Sequence, residues 1–316
     1  MRRFVIDTLS KDGDAYLISS AEDLCNLSEY VNAGNDCDEK IFKLANDIDL
    51  SSVENFTPIG TEKNLFAGTF DGDGKIISNL KIVGENYAGL FGFNTDKIQN
   101  VNLIDANVSG TGNFVGGLVG YNTGTIQNVT LANIDVSGND AVGGFVGYNG
   151  DKIESCSING TVNGNECVGG LVGLNGSMIK NCTASGNVSG VKEVGGLVGY
   201  NDSGGNVNNC SVSGSVSGRN YVGGLVGWNQ NGYINLVSNI DKGNGIIKNC
   251  TFSGSISGTE GVGALVGSNH GEIESCTASG SVSRSWYVVD GLVGYNGGTI
   301  QNCTFSGTVS NHDEII

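Results

Sequence analysis

The sequence predicts an all-β fold: a single-stranded parallel β-helix, right-handed as parallel crossovers generally are, closed at its N-terminal end by a short capping helix. Three observations predict it. A Val-Gly-Gly-Leu-Val-Gly-aromatic-Asn pattern recurs eight times, read on Leu90, Leu118, Phe145, Leu171, Leu197, Leu225, Leu265 and Leu292 at spacings of 28, 27, 26, 26, 28, 40 and 27. Each copy leads into a strict polar/small alternation, as in Cys182-Thr-Ala-Ser-Gly-Asn-Val-Ser-Gly190, which is the period of a strand. Glycine, 53 of 316 residues and never far away in the repeats, excludes helices of useful length there. A unit of 26–28 residues with two or three short strands cannot bury a core by itself, whereas stacked units can. A propeller blade needs roughly 40 residues, so one coil per repeat fits better.

The elements follow in order. Ser20-Ala-Glu-Asp23 is a capping-box variant with Asp in place of Glu or Gln. It opens an amphipathic stretch with Leu24, Leu27 and Val31 on one face, ending near Gly34, and this is the predicted lid over the open solenoid edge. Extended segments are expected at 41–45, 48–50 and 75–83, the last entered through a tight turn at Asp71-Gly-Asp-Gly74. Asp71 and Asp73 read as turn residues rather than calcium ligands, because the Asp-x-Asp-x-Asp-Gly loop with its distant Glu is missing. Residues 1–83 therefore form the cap and first coils, and 84–316 the eight repeats, continuous with the cap as one solenoid. The only proline, Pro58, precedes the array, as expected where nearly every backbone amide joins a ladder.

Charge narrows the function classes. The chain carries a net charge of -16, half of it in residues 1–80, where 15 acids face 7 bases. That balance argues against nucleic acid as a partner. No run of about 18 apolar residues exists to span a membrane as a helix.

Stacking turns the repeats into columns. Asn94, Asn122, Asn149, Asn175, Asn201, Asn229, Asn269 and Asn296 form a complete one, and stacked amides can hydrogen-bond from coil to coil. Val101 and Val129 begin a second column that continues as Cys156, Cys182, Cys210, Cys250, Cys276 and Cys303. With no Cys-x-x-Cys pair, these read as buried thiols acting as small hydrophobes; no metal or cofactor is expected. Cys25, Cys37 and Cys167 lie outside the column. A third column, Gln99, Gln127, Glu154, Lys180, Lys248, Glu274 and Gln301, pairs opposite charges one coil apart and reads as surface pairing, not as a catalytic dyad.

The Gly117-Leu-Val-Gly120 core and its copies resemble the GLUG motif of bacterial surface and secreted proteins, among them the N-terminal regions of immunoglobulin A-specific metallopeptidases and adhesins. The lead-in is similar too: Ile18-Ser-Ser-Ala-Glu-Asp-Leu24, Val31-Asn-Ala-Gly34, Asp47-Ile-Asp-Leu50, Pro58-Ile-Gly60 and Gly68-Thr-Phe-Asp-Gly72. The resemblance spans roughly residues 16–311. It implies an extracellular or cell-surface setting as part of a longer protein and a scaffold role, since a repeat and not a reaction defines the family. Its peptidase members carry zinc in a separate domain with His-Glu-x-x-His, which this sequence lacks; His270 and His312 are its only histidines. Ala264, Asp290 and Ser268 depart from the motif. No signal peptide is visible after Met1-Arg-Arg-Phe, and the cysteine usage keeps a cytoplasmic setting open.

Four features are candidates for function. The aromatic column gives Tyr121, Tyr148, Tyr200, Trp228 and Tyr295, headed by Phe93 and broken by Leu174 and Ser268; parity puts it opposite the Asn column, so the rings either face a ligand or pack on one another along a corner. The insertion at 230–245 adds Tyr233 to the binding candidates. The outward Ser/Thr grid (Thr183, Ser185, Asn187, Ser189, Thr251, Ser253, Ser255, Ser257) reads as a solvated face, too poor in Thr for an ice-binding ladder. Asp290 and Arg284, beside Trp286 and Tyr287, are weak catalytic candidates. The expected function is a non-enzymatic adhesion, binding or stalk module, a monomer whose partner is a glycan or a host or cell-surface protein. The alternative is a polysaccharide-acting lyase or glycosidase on the same scaffold.

Overall fold

The computed structural model describes Ile6 and residues 9–235, 240–284 and 291–311, with 233–235, 240–242, 284 and 311 described by their backbone alone. It is a parallel β-solenoid of about ten turns, with one α-helix among the described residues. Each full coil contributes four strands, not the two or three that alternation suggests. In one coil they are Glu166–Gly169, Val172–Asn175, Met178–Lys180 and Thr183–Ser189. The first of these escapes a period-two reading because its second residue, Cys167, is left-handed at φ 53°, which breaks the alternation.

Apart from a two-stranded pair in the insertion, the described strands stack into four sheets. One runs through 12 strands from Lys11–Asp12 to Thr299–Gln301, and a second, carrying the long strands, from Ile48–Asp49 to Thr304–Asn311. A six-stranded and an eight-stranded sheet complete the array. Like residues stand over like: Val168 on Val194, Asn175 on Asn201, Ile179 on Val207 and Val188 on Val216. This register puts Ile126, Ile153, Ile179 and Val207, and likewise Leu118, Phe145, Leu171 and Leu197, in fully buried columns. At roughly 1.5–3 kcal/mol per buried branched side chain, such columns dominate the stability of each coil. Gly186 shows why glycine recurs inside the long strand. It sits at φ +123°, and a Cβ there would stand 1.9 Å from the Gly160 carbonyl oxygen of the previous coil.

The lid forms as the capping signal predicts. Helix Ala21–Asn32 begins at Ser20, whose side chain accepts from the Asp23 amide at 3.2 Å. The Asp23 carboxylate accepts from the amide of Ser19, one residue before the cap. Leu24, Leu27 and Val31 are buried in the core they share with Ile18 and Phe42. The polar side of the helix is tied to the loop around Pro58: Ser28 donates to the Thr57 carbonyl at 2.7 Å, and Asn32 to the Pro58 carbonyl at 3.0 Å. Rings fill the first coils, with Phe66 and Phe91 5.0 Å apart. The second sheet runs unbroken only after its early coils. Positive φ at Asn79 and Asp105 splits the long strand, and a bulge at Asn133 is the last trace of the break.

Candidate interaction site

The asparagine column is the last position of the eight-stranded sheet, and the members from Asn94 to Asn269 are fully buried. Each side-chain amide donates to the next: Asn94 to Asn122 at 2.8 Å, Asn122 to Asn149 at 3.0, Asn149 to Asn175 at 2.8, Asn175 to Asn201 at 2.8, and so on through Asn296. The second N–H of Asn175 closes the turn on the Ser177 carbonyl at 2.8 Å. The chain of bonds has a polarity, so its first member, Asn94, is left with an unpartnered carbonyl oxygen. One coil earlier the ladder position is held by Phe66, which has no amide to offer.

The cysteine column is a row of free thiols, buried from Cys156 to Cys276 and half-buried at Cys303. Each donates to the carbonyl two residues before it, as Cys182 does to Lys180 at 3.2 Å. Burial pushes the Cys156 thiol well above its ordinary range. The charged column pairs as expected, Lys180 with Glu154 at 3.8 Å and Lys248 with Glu274 at 2.8 Å; Lys152 also contacts Glu154. At Asp71, burial raises the carboxyl, but the Asp73 amide, Asn100 and Gln99 donate to it and together hold it below its usual range. Both of its oxygens are taken by protein donors, which makes it the anchor of the turn.

The aromatic column turns out to be half of a wider feature. Phe93, Tyr121, Tyr148, Tyr200 and Trp228 stack beside a second column four residues ahead of the repeat Leu or Phe (three at the first): Tyr87, Phe114, Ala141, Cys167, Glu193 and Tyr221. Sequence reasoning missed this second column, although its fixed offset was there to be found. Tyr87 and Phe114 lie parallel at 5.3 Å, Tyr121 and Tyr148 at 4.4 Å, Tyr200 and Trp228 at 6.4 Å. His270 stacks on Trp228 at 4.8 Å, covering the gap that Ser268 leaves. Tyr121, Tyr148, Tyr200 and Trp228 are half-buried, and Tyr295 is 37 % exposed. Rings that stack along the solenoid axis cover each other's faces, so much of what they offer solvent is edge and, at the tyrosines, hydroxyl.

Leu174 divides the rings into two clusters. In the second column, Glu193 is buried, 7 % exposed, with its carboxylate held by Lys192 at 3.0 Å and by the Cys167 thiol at 3.0 Å. Burial and then the Glu193 charge drive the Cys167 thiol far up. Burial first, and the charges of Asp202 and Glu193 after it, push the Tyr200 phenol up to about 12.

Within the insertion, Tyr233–Asn235 pairs antiparallel with Ile240–Lys242. The side chains of Tyr233 and Arg284, and Trp286, Tyr287 and Asp290 altogether, lie outside the described residues, so the catalytic candidates gain no geometry. The hydroxyl grid is exposed to half-exposed and bonded within itself: Asn159 donates to Ser185 at 2.9 Å and Ser215 to Asn187 at 2.6 Å. Among the described residues no cluster of three or more His, Cys, Asp or Glu is placed to hold a metal ion. No helix among them is long and apolar enough to cross a membrane.

A stack of matched coils threaded by one amide ladder defines the chain as a parallel β-solenoid repeat protein. It belongs to the GLUG-motif family, whose model matches residues 138–163, 164–189, 190–217, 218–257, 258–283 and 291–310. The coils of Asn94 and Asn122 precede those matches yet stack in the same register. The fold is similar to the crystal structure of a chain from Bacteroides ovatus described as a "putative immunoglobulin A1 protease", at a TM-score of 0.56 and 23% identity, covering 95% of this chain and 85% of that one. No curated protein matches the sequence.

Proposed function

We propose that the chain is a non-catalytic module of a bacterial surface or secreted protein: a stiff spacer that presents its aromatic corner to a glycan or to a host or cell-surface protein. One observation carries this reading. From Asn94 to Asn296 the ladder is unbroken, so the coils are locked into a single rod, roughly 50 Å long at about 4.8 Å per coil over ten turns. Chemistry that must converge on a substrate is poorly served by columns whose polar groups already bond to the next coil. Holding an adhesive edge away from a surface is well served. Half-buried Tyr and Trp offer rigid contact area at low entropic cost, and the tyrosine hydroxyls supply hydrogen bonds.

The test is binding of the full chain to immobilised mucin-type glycoprotein and to arrayed glycans. Replacing Tyr148 and Trp228 together by Ser is expected to abolish retention. Because both rings stack on neighbours, the pair also costs stability, so folding is checked by circular dichroism at the assay temperature. Retention that survives in the folded double variant removes the corner as the binding site.

A further inference from the structure

The long strand of the second sheet is broken in its early coils, and the break opens a groove. Left-handed Asn79 (φ 60°) and Asp105 (φ 53°) separate the strands Lys81–Gly84 and Asn107–Gly110 from the segments before them. Together with the loop 51–55 they enclose an open groove of about 780 Å³. Small-ligand sites run from about 300 to 1,000 Å³. The loop is fixed in place. Asn55 donates to the Val83 carbonyl at 3.1 Å and accepts from the Val83 amide at 2.7 Å, and the Phe56 amide donates to the Lys81 carbonyl at 2.8 Å. The loop thus takes the edge of Lys81–Gly84 that Asn107–Gly110 leaves free. A peptide cannot add there as a further strand, so whatever enters the groove is read by side chains.

Those side chains depart from the columns they belong to. Val83 stands over Ser109, and the column continues as Ser137, Asn163, Ser189 and Ser217. Where later coils carry a hydroxyl or an amide, this one carries a valine 57 % exposed, the most exposed large apolar side chain among the described residues. Half-buried Val53 lines the groove with it. The polar groups differ too. The hydroxyl grid of the later coils is bonded within itself, but the side chains of Glu54, Lys81 and Asn107 have no partner among the described residues. Asn133 donates to one carboxylate oxygen of Asp105 at 2.9 Å and leaves the other without a partner.

The groove therefore offers an apolar spot among a free amide, an ammonium group and carboxylate oxygens. An anion is disfavoured, because two carboxylates accompany one ammonium on a chain of net charge -16. Carboxylate oxygens and an amide suit the hydroxyls of a sugar ring. A valine exposed near a free amide suits an acetamido group, whose methyl needs apolar cover and whose N–H and C=O need a partner with both functions. We propose that this groove binds an N-acetylhexosamine unit of a glycan, with the acetyl methyl on Val83 and Val53, the acetamido group on Asn107 and ring hydroxyls on Glu54 and Asp105. The site shares a glycan partner with the reading above but none of its residues, since the aromatic corner belongs to the eight-stranded sheet.

Titration of the isotope-labelled full chain with the methyl glycosides of N-acetylglucosamine and N-acetylgalactosamine tests it, with methyl glucoside and methyl galactoside for comparison. Amide shifts and saturation transfer to the sugar are the readouts. A dissociation constant on the order of 1 mM is expected for at least one acetamido sugar. The shifts are expected at 51–55, 79–83 and 105–107, with the strongest transfer to the acetyl methyl and at least about fivefold weaker binding without the acetamido group. Val83→Ser, which restores the hydroxyl of the later coils, and Asn107→Ala, which removes the amide, are each expected to weaken binding about fivefold. Both side chains are exposed, so the circular dichroism spectrum is expected to stay unchanged. Val191→Ser, at a valine 45 % exposed elsewhere, is expected to leave binding as it was. The Tyr148→Ser, Trp228→Ser chain is also expected to keep the sugar, so the groove and the aromatic corner fail separately; loss of the sugar there assigns it to the corner and overturns the proposal. Equal affinity with and without the acetamido group, shifts confined to another surface, binding that survives Val83→Ser and Asn107→Ala, or no binding well above the expected constant overturns it as well.

Discussion

Removing one amide from the middle of the ladder is expected to cost far more than removing the first. Asn175 accepts from Asn149, donates to Asn201 and donates to the Ser177 carbonyl, all at 2.8 Å, and is fully buried. Asn175→Ala strands an N–H of Asn149 and the side-chain oxygen of Asn201 where water has no ready access. Two orphaned buried groups at ~1–3 kcal/mol each, together with the broken hydrogen bond that closes the turn, put the cost at about 3–7 kcal/mol. Asn94→Ala behaves otherwise. It removes one bond to Asn122 and one to the Asp96 carbonyl, but it also removes an oxygen that has no partner in the native fold. The oxygen it leaves behind, on Asn122, keeps a bond from the Gly124 amide at 3.3 Å. Its cost is therefore expected near 1–2 kcal/mol, at ~1 kcal/mol per net bond removed. Urea unfolding followed by circular dichroism measures both, provided the slopes against denaturant match the wild type. Equal costs for the two substitutions, or a loss below ~1 kcal/mol for Asn175→Ala, would refute the ladder as the device that locks the coils.

Other consequences follow from particular residues. Gly186→Ala places a methyl group against the Gly160 carbonyl and forces an unfavourable φ, so a loss of about 3 kcal/mol or more is expected on urea unfolding, whereas Gly84→Ala, with nothing within 4 Å of the new methyl, should stay within ~0.5 kcal/mol. Titration of the native chain with a thiol reagent should label Cys25 and Cys303 first, leave the six buried thiols unreacted, and reach all nine only on unfolding. Cys167, half-buried and bonded to Glu193, should lag behind the other partly exposed thiols. The raised Tyr200 phenol predicts an alkaline effect. Between the unfolded value near ~10 and the folded value of about 12 the unfolded chain releases a proton that the folded chain keeps, so stability falls with pH, and Tyr200→Phe should make that decline shallower.

Much of this architecture is legible in the residues because stacking demands identity at fixed intervals. The Asn column can be read without a structure: an amide both donates and accepts, and the column has no exceptions. The cysteines likewise announce small buried positions by replacing Val101 and Val129. What the sequence hides lies at turns. Cys167 and its column take left-handed backbone, so neither the fourth strand of each coil nor the second row of rings shows an alternating pattern. Parity from the Asn column points the rings outward, but it cannot reveal that they lie flat on one another, because side-chain stacking across coils depends on the neighbouring column. Glu193 is the clearest miss. In sequence it is one more surface acid beside a lysine. In the fold it is 7 % exposed, with Lys192 and Cys167 as its partners.

The central claim, that the solenoid binds and does not convert, is tested most directly by incubating the full chain with a mucin-type glycoprotein and following both partners by mass spectrometry while retention is recorded. The account predicts retention that depends on Tyr148 and Trp228, with the glycoprotein and its glycans recovered intact. New reducing ends or peptide fragments that accumulate in proportion to the amount of chain added would contradict it.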